Sequence, residues 1–379
     1  NLVLNMKKRD FIQMLGAGAV GAAFSPSLVA LSGCKVTNRQ SAGNKLRFWA
    51  DVPPNESPKK TPKSDDEWRW MLSSLKNWGV DGIVLLCRTN SIVDQVAPIT
   101  REFDMTLLTW IISLEYPDPQ TMKAHPDYYV VNGNGISCID KPPYIPDYRW
   151  LCPSNPEVQE FMIKRVSDLA DYENIGGVHL DYMRYPDVYL QPNIRTQYDI
   201  PQDEVIRPEY DFCYCPVCRK LFKEKEGIDP MDLPDTSTNP VWKKFRLDSI
   251  TNLVNKMADV AHSKKKTLSA SVFSTPTNAR AMVGQDWPSW NLDFIMAMMY
   301  NYYEDKPVDW ISSAIAEGVK ELNGKYPLYG VLHLAHLTPE EIATAARLAI
   351  NSGASGVDFF IGNMFTEYHW KCLRKEGIL

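Results

Sequence analysis

Several signatures are missing from these 379 residues, and each omission removes a class of function. Lysine plus arginine (41) fall short of aspartate plus glutamate (46), giving a formal net charge of −5 and no basic footprint for nucleic acid. No His-Glu-x-x-His run occurs, and no His-x-His pair follows the first strand-like segment, so a metal-dependent hydrolase lacks its usual ligands. A Gly-x-Gly-x-x-Gly spacing exists only at Gly16, Gly18 and Gly21, inside an apolar N-terminal run and not behind a strand. A dinucleotide fold is therefore not indicated. What is present is an ordinary globular composition, 44% hydrophobic and 23% charged, with room for a large core. Tryptophan (11) and tyrosine (18) are plentiful, and their flat faces suit sugar rings, although most belong to a core.

The chain start carries the most specific targeting signal. Met6 reads as the start, after five preceding residues, and Lys7-Lys8-Arg9 forms a short basic region. A Gly/Ala-rich apolar run follows, too short for a comfortable membrane span, and ends at Leu31-Ser32-Gly33-Cys34. That tetrapeptide resembles a bacterial lipobox, in which Cys34 is lipid-modified. Lys8-Arg9-Asp10-Phe11 also resembles a twin-arginine signal with Lys in the first position. The expectation is an export signal over 1–34, a polar tether over 35–44 and one domain over 45–379, held at the bacterial cell envelope by a lipid anchor. The competing reading is an N-terminal amphipathic or core helix.

Beyond the tether, apolar runs alternate with helix-period segments. The strand candidates are Leu46–Asp51, Val80–Leu86, Met105–Ile112, Gly177–Tyr182, Thr267–Phe273, Leu292–Tyr300, Pro327–Leu334 and Gly356–Ile361. Continuous apolar strands of this kind belong to parallel sheets buried on both faces. Asn155-Pro156-Glu157 and Thr338-Pro339-Glu340-Glu341 are helix starts, the second with a capping-box spacing. Segments 64–78, 91–103, 241–261 and 308–322 complete the helices, with a short one after the last strand. Eight strands in alternation with helices predict an α/β fold, a closed (β/α)8 TIM barrel with long insertions after strands 3 and 4. Those insertions, 115–151 and 186–239, leave the strand ends where barrel active sites are built, and should form one wall of a cleft.

The sharpest stretch is Gly176 to Pro186, GGVHLDYMRYP. Alternation puts Val178, Leu180 and Tyr182 on one face and Gly177, His179 and Asp181 on the other, so the polar set points into the barrel. Asp181 should emerge at the rim. His179, one layer below, should hydrogen-bond it or a sugar hydroxyl. Arg184 should hold Asp181 ionised, since an opposite charge within about 4–6 Å lowers a carboxylate pKa. The alternative is a structural ion pair at a strand end.

These residues also carry a family likeness. GVHLDYMRYP, with LCPSNPEVQEFM, FCYCPVCRKLF and GQDWPSW, resembles the glycosyl-hydrolase-like family 10, bacterial barrels distantly similar to the α-amylase superfamily. The likeness runs from about Lys45 to Gly362. It implies a TIM barrel acting on a glycan, with Asp181 as the leading catalytic carboxylate. On the next strand, where an α-amylase has its acid Glu, this chain offers only Ser269 and Ser271.

Glycoside hydrolysis needs a second carboxyl. Asp286, flanked by Trp287 and Trp290, is the first choice because apolar neighbours raise a carboxyl pKa towards that of a general acid. Glu304 is the second choice, and Glu115 reads as a loop ligand or surface acid. Trp110, Trp287, Tyr300, His179, Arg184 and Tyr185 make up the expected sugar-binding set, with core packing as the alternative for the aromatics. Cys213, Cys215 and Cys218 are spaced to bind a structural zinc with one further ligand, Cys138, Cys152 or a His, or else to form a disulfide or pack as free thiols within the insertion. No cofactor is required for the chemistry itself. Two functions follow: an exported, lipid-anchored glycoside hydrolase acting on an oligo- or polysaccharide, or a glycan-binding lipoprotein without turnover.

Overall fold

Apolar residues at consecutive positions, as in GIVLL and LYGVLH, demand cover on both faces, and the chain provides it by closing a sheet inside a ring of helices. The computed structural model of the protein describes residues 47–52, 63–87, 90–198 and 200–378. Eight parallel strands pair in sequence order: β1 (Arg47–Val52), β2 (Gly82–Leu86), β3 (Thr106–Ile112), β4 (Gly177–Asp181), β5 (Thr267–Phe273), β6 (Phe294–Met298), β7 (Leu328–His333) and β8 (Gly356–Phe360). β8 pairs back onto β1, Trp49 opposite Asp358, which closes the barrel. The export signal, Cys34 and the tether lie outside the described residues. Among the described residues, no helix is long and apolar enough to cross a membrane.

The helix starts behave as their sequences require. Asn155 accepts from the N–H groups of Glu157 and Val158, and Thr338 and Glu341 cap one another reciprocally. Strand alternation then divides the apolar residues into two cores. Val178, Leu180, Leu268 and Ala270 face outward against the helices, while Trp49, Leu108, Phe294 and Tyr329 fill the barrel. Trp49 stacks on Phe294 with ring centroids 5.6 Å apart, and Tyr329 meets Trp49 edge-on at 6.1 Å. The barrel is thus plugged from below and can open only at the C-terminal ends of its strands.

The paired glycines at the foot of β4 have a steric cause. A Cβ on Gly177 would lie 2.1 Å from Thr267 Oγ1 and 2.3 Å from the Thr267 carbonyl oxygen, and one on Gly176 would lie 2.5 Å from Thr106 Cγ2. β4 enters the sheet at a level where its neighbours leave no room for a side chain. Above the barrel the two insertions meet each other. Asn132 of the first bridges to Phe212 of the second, Gly133 N–H donates to the Pro208 carbonyl (2.8 Å), and Tyr214 N–H to the Val131 carbonyl (2.7 Å).

Candidate active site

Asp181 ends β4, where the backbone must turn sharply away from the sheet. Tyr182 does so with φ of +51°, a left-handed value uncommon for a residue with a side chain, and its N–H donates to Asp181 Oδ1 at 2.7 Å. Trp110, inward on β3, donates its indole N–H to Oδ2 at 3.1 Å. Asp181 is half-buried and borders a cavity of about 970 Å³, counted with the space open to solvent at its mouth. Trp110, Ser271, Tyr300 and Phe360 belong to its barrel side, and the insertions contribute Tyr144, Tyr148, Gln191 and Tyr198.

Barrel closure brings in two acids that the sequence reading passed over. Asp51, the last inward residue of β1 with a described side chain, borders the same cavity although only 4% of it is exposed. Asp358, inward on β8 and level with Trp49, lies deeper and is fully buried. It rests against the Asp51 carboxyl, and neither of its oxygens finds a full hydrogen bond from an N–H or hydroxyl group. Burial, then the charges of Asp358 and Asp181, push Asp51 well above the usual carboxylate range. Burial lifts Asp358 to about 7. Asp181 reaches about 6, because burial outweighs the opposing Tyr182 N–H, Arg184 charge and Trp110 N–H.

Several expected site residues stand elsewhere. Arg184 does not pair with Asp181. Its Nη1 binds Asp187 Oδ2 at 2.8 Å, and its guanidinium lies over the Trp150 ring at 4.8 Å, so it borders the cavity as half of a buried ion pair. His179 touches neither Asp181 nor the cavity. Its Nδ1 meets Ser269 Oγ and its Nε2 meets Ser271 Oγ, each at 2.8 Å, and burial lowers its pKa to about 3. Ser269 and Ser271 therefore clamp a neutral imidazole between two hydroxyls. Tyr185 turns away from the mouth, packs against the Gly284 turn and faces the cysteines.

Asp286 is not the second acid at the mouth. The helix Pro276–Val283 returns the chain down the outside of the barrel, and Asp286 follows it, bound to Arg280 Nε (2.6 Å) and Ser289 Oγ (2.5 Å). Trp287, fully buried beside Gly318, is outer core. Glu304 stands behind the cavity wall: its Oε1 accepts from Gln191 Nε2 at 2.7 Å and Ser274 Oγ at 3.4 Å, two groups that do border the cavity. Trp110 and Tyr300 both border the cavity, as their strand-end positions implied.

The cysteine cluster gains a fourth member. Cys152, at the end of the first insertion, joins Cys213, Cys215 and Cys218 of the second, with all four sulfurs within 4.8 Å of one another. Cys138 stays apart, its sulfur accepting from Trp150 N–H at 3.3 Å. Cys152, Cys213, Cys215 and Cys218 form no disulfide with one another in the structure.

The fold recurs in known enzymes. The chain matches the glycoside hydrolase domain of PgaB (BpsB) from Bordetella bronchiseptica with a TM-score of 0.62 and 12% identity, over 88% of this chain and 97% of that one. A β-galactosidase from Halorubrum lacusprofundi aligns at TM-score 0.58 and 12% identity, covering 87% of this chain and 57% of its own. One from Marinomonas ef1 aligns at 0.55 and 10%, covering 83% and 54%. The chain thus spans nearly all of the first and little more than half of the two galactosidases. At these identities the likeness establishes the barrel. No curated protein sequence matches the chain. A family model does, over residues 90–317, a span that holds β3 to β6, both insertions, Asp181 and the cysteine cluster. On that match, this chain is a member of the glycosyl hydrolase-like 10 family.

Proposed function

We propose that the protein hydrolyses glycosidic bonds with Asp181 as nucleophile or base and Asp51 as general acid. The observation that carries this reading is that the two acids border one aromatic-walled cavity from different strands, in environments that treat their charge differently. Asp181 receives two N–H groups and the field of Arg184, so at neutral pH it is ionised. Asp51 has burial and the carboxyl groups of Asp358 and Asp181 against its charge, which favours its protonated form. One ionised and one protonated carboxyl facing one bond is the pairing that glycoside cleavage uses. The Asp51 proton goes to the glycosidic oxygen as the C–O bond breaks. Asp181 then either bonds the anomeric carbon or takes a proton from the water that does. Trp110 and Tyr300 add aromatic surface to the wall against which the sugar would lie.

Family membership, the TIM barrel and this pair support a glycan as substrate. The lipobox-like Leu31–Cys34 supports a site of action at the bacterial cell envelope, with the chain held by a lipid on Cys34. The test uses aryl glycosides with good and poor leaving groups beside a panel of natural glycans. A general acid matters only when the departing group needs a proton, so Asp51→Asn should lose about 10²–10⁴-fold on poor leaving groups and far less on good ones. Asp181→Asn should lose both activities. Equal rates for Asp51→Asn and wild type on poor leaving groups would remove Asp51 from the mechanism. Glycan binding by wild type with no product from any substrate would establish the non-catalytic alternative.

A further inference from the structure

We propose that Cys152, Cys213, Cys215 and Cys218 hold a structural Zn²⁺ ion that fastens the two insertions to each other beside the cavity. The four thiols come from two stretches of chain about 60 residues apart, are all buried, and converge until every sulfur lies within 4.8 Å of the other three. The Cys152–Cys218 and Cys152–Cys215 sulfur separations are 3.4 and 3.6 Å. A disulfide needs about 2.05 Å. Four thiolates around zinc, at about 2.3 Å from the metal in a tetrahedron, stand about 3.8 Å apart, which is near the spacing found.

Cys215 caps the helix Pro216–Glu226, and its sulfur accepts from Cys218 N–H at 3.5 Å, which fixes where that sulfur points. Buried Arg246 donates to the Phe212 carbonyl at 2.8 Å and pairs with Asp211, fixing the backbone that leads into Cys213. Binding displaces four thiol protons to solvent and changes no oxidation state. With all four positions taken by sulfur, no coordination site is left for substrate, and the ion's work is mechanical. Cys152 closes the insertion that carries Tyr144 and Tyr148, and the other three lie in the insertion that carries Gln191 and Tyr198, so the ion joins two contributors to the cavity wall.

The experiment is metal analysis of the full protein purified without chelator. The expected content is about one zinc per chain, falling about tenfold or more in Cys152→Ser and Cys218→Ser. Cys372→Ser, on the C-terminal helix far along the chain from the cluster, should leave it unchanged. Should the cluster variants fail to fold, cobalt exchange into wild type decides: intense visible bands of tetrahedral cobalt thiolate are expected. Wild type that takes up no zinc even after refolding with Zn²⁺, or peptide mapping that finds a disulfide among the four, overturns the site. Neither outcome depends on whether the protein cleaves a glycan.

Discussion

Replacing Asp358 with asparagine keeps the shape of the side chain and removes its ability to ionise. In the folded protein burial raises this carboxyl to about 7, whereas in the unfolded chain it titrates near 3.9. Between those values the folded state keeps a proton that the unfolded state has lost. Wild-type stability must therefore fall as pH rises through the window, by about 1.4 kcal/mol per pH unit. By pH 8 the accumulated cost is about 4 kcal/mol, and Asp358→Asn escapes it. The variant and wild type should differ little near pH 4 and diverge steadily above it, with the variant more stable. His179 and His333, both lowered to about 3 by burial, lose stability as pH falls below about 6.5, but they do so in both proteins and cancel in the difference. Urea unfolding followed by tryptophan fluorescence at pH 4, 5.5, 7 and 8 reads the effect directly. A difference that is flat across this range, or that favours wild type increasingly with pH, refutes the claim that the barrel interior holds a carboxyl against its charge. The same substitution takes one anionic neighbour from Asp51, so the alkaline limb of the pH–rate profile should move to lower pH.

One further outcome follows from a named contact and one from the lipobox-like sequence. Trp110→Phe deletes the N–H that meets Asp181 Oδ2 at 3.1 Å; a hydrogen bond to a charged group contributes about 1.5–3 kcal/mol. The acid limb, set near 6 by Asp181, should therefore move up by about one to two pH units, and an unmoved limb would show that the indole does not hold the anion. Cys34→Ala should shift the protein from the membrane to the soluble fraction of expressing cells; retention at the membrane would remove the lipid anchor from the account.

The barrel was legible because its signals are local. Runs such as TLSASVF and the caps at Asn155 and Thr338 each declare an element within a few residues, and all eight strands formed within about two residues of their expected bounds. Asp181 was legible for the same reason, as the last inward residue of a strand. The alternation that picked it out applies equally to Trp49 and Asp51 on β1, and would have pointed to Asp51 had it been carried to every strand end. Asp358 is harder to see. It sits in mid-strand between apolar neighbours, and its meaning arises only when β8 closes onto β1, about 300 residues away in sequence. The preference for Asp286 failed because apolar neighbours in sequence do not say which end of a barrel a residue reaches. The expected contact of His179 with Asp181 rests on their neighbouring layers in one strand, which leaves out Ser269 and Ser271 of the next strand, two hydroxyls that satisfy both ring nitrogens.

The bare foot of β4 reaches further than its size suggests. Gly177 lies four residues before Asp181, about 13 Å along an extended strand, so it sits at the opposite end of the barrel from the cavity. Any side chain there must shove β4 off Thr267, and a rigid stave displaced at its base carries the displacement to its tip. A methyl group placed at the far end of the strand thus misaligns Asp181 as surely as a change beside it, which makes Gly177 a remote aiming point for that carboxylate.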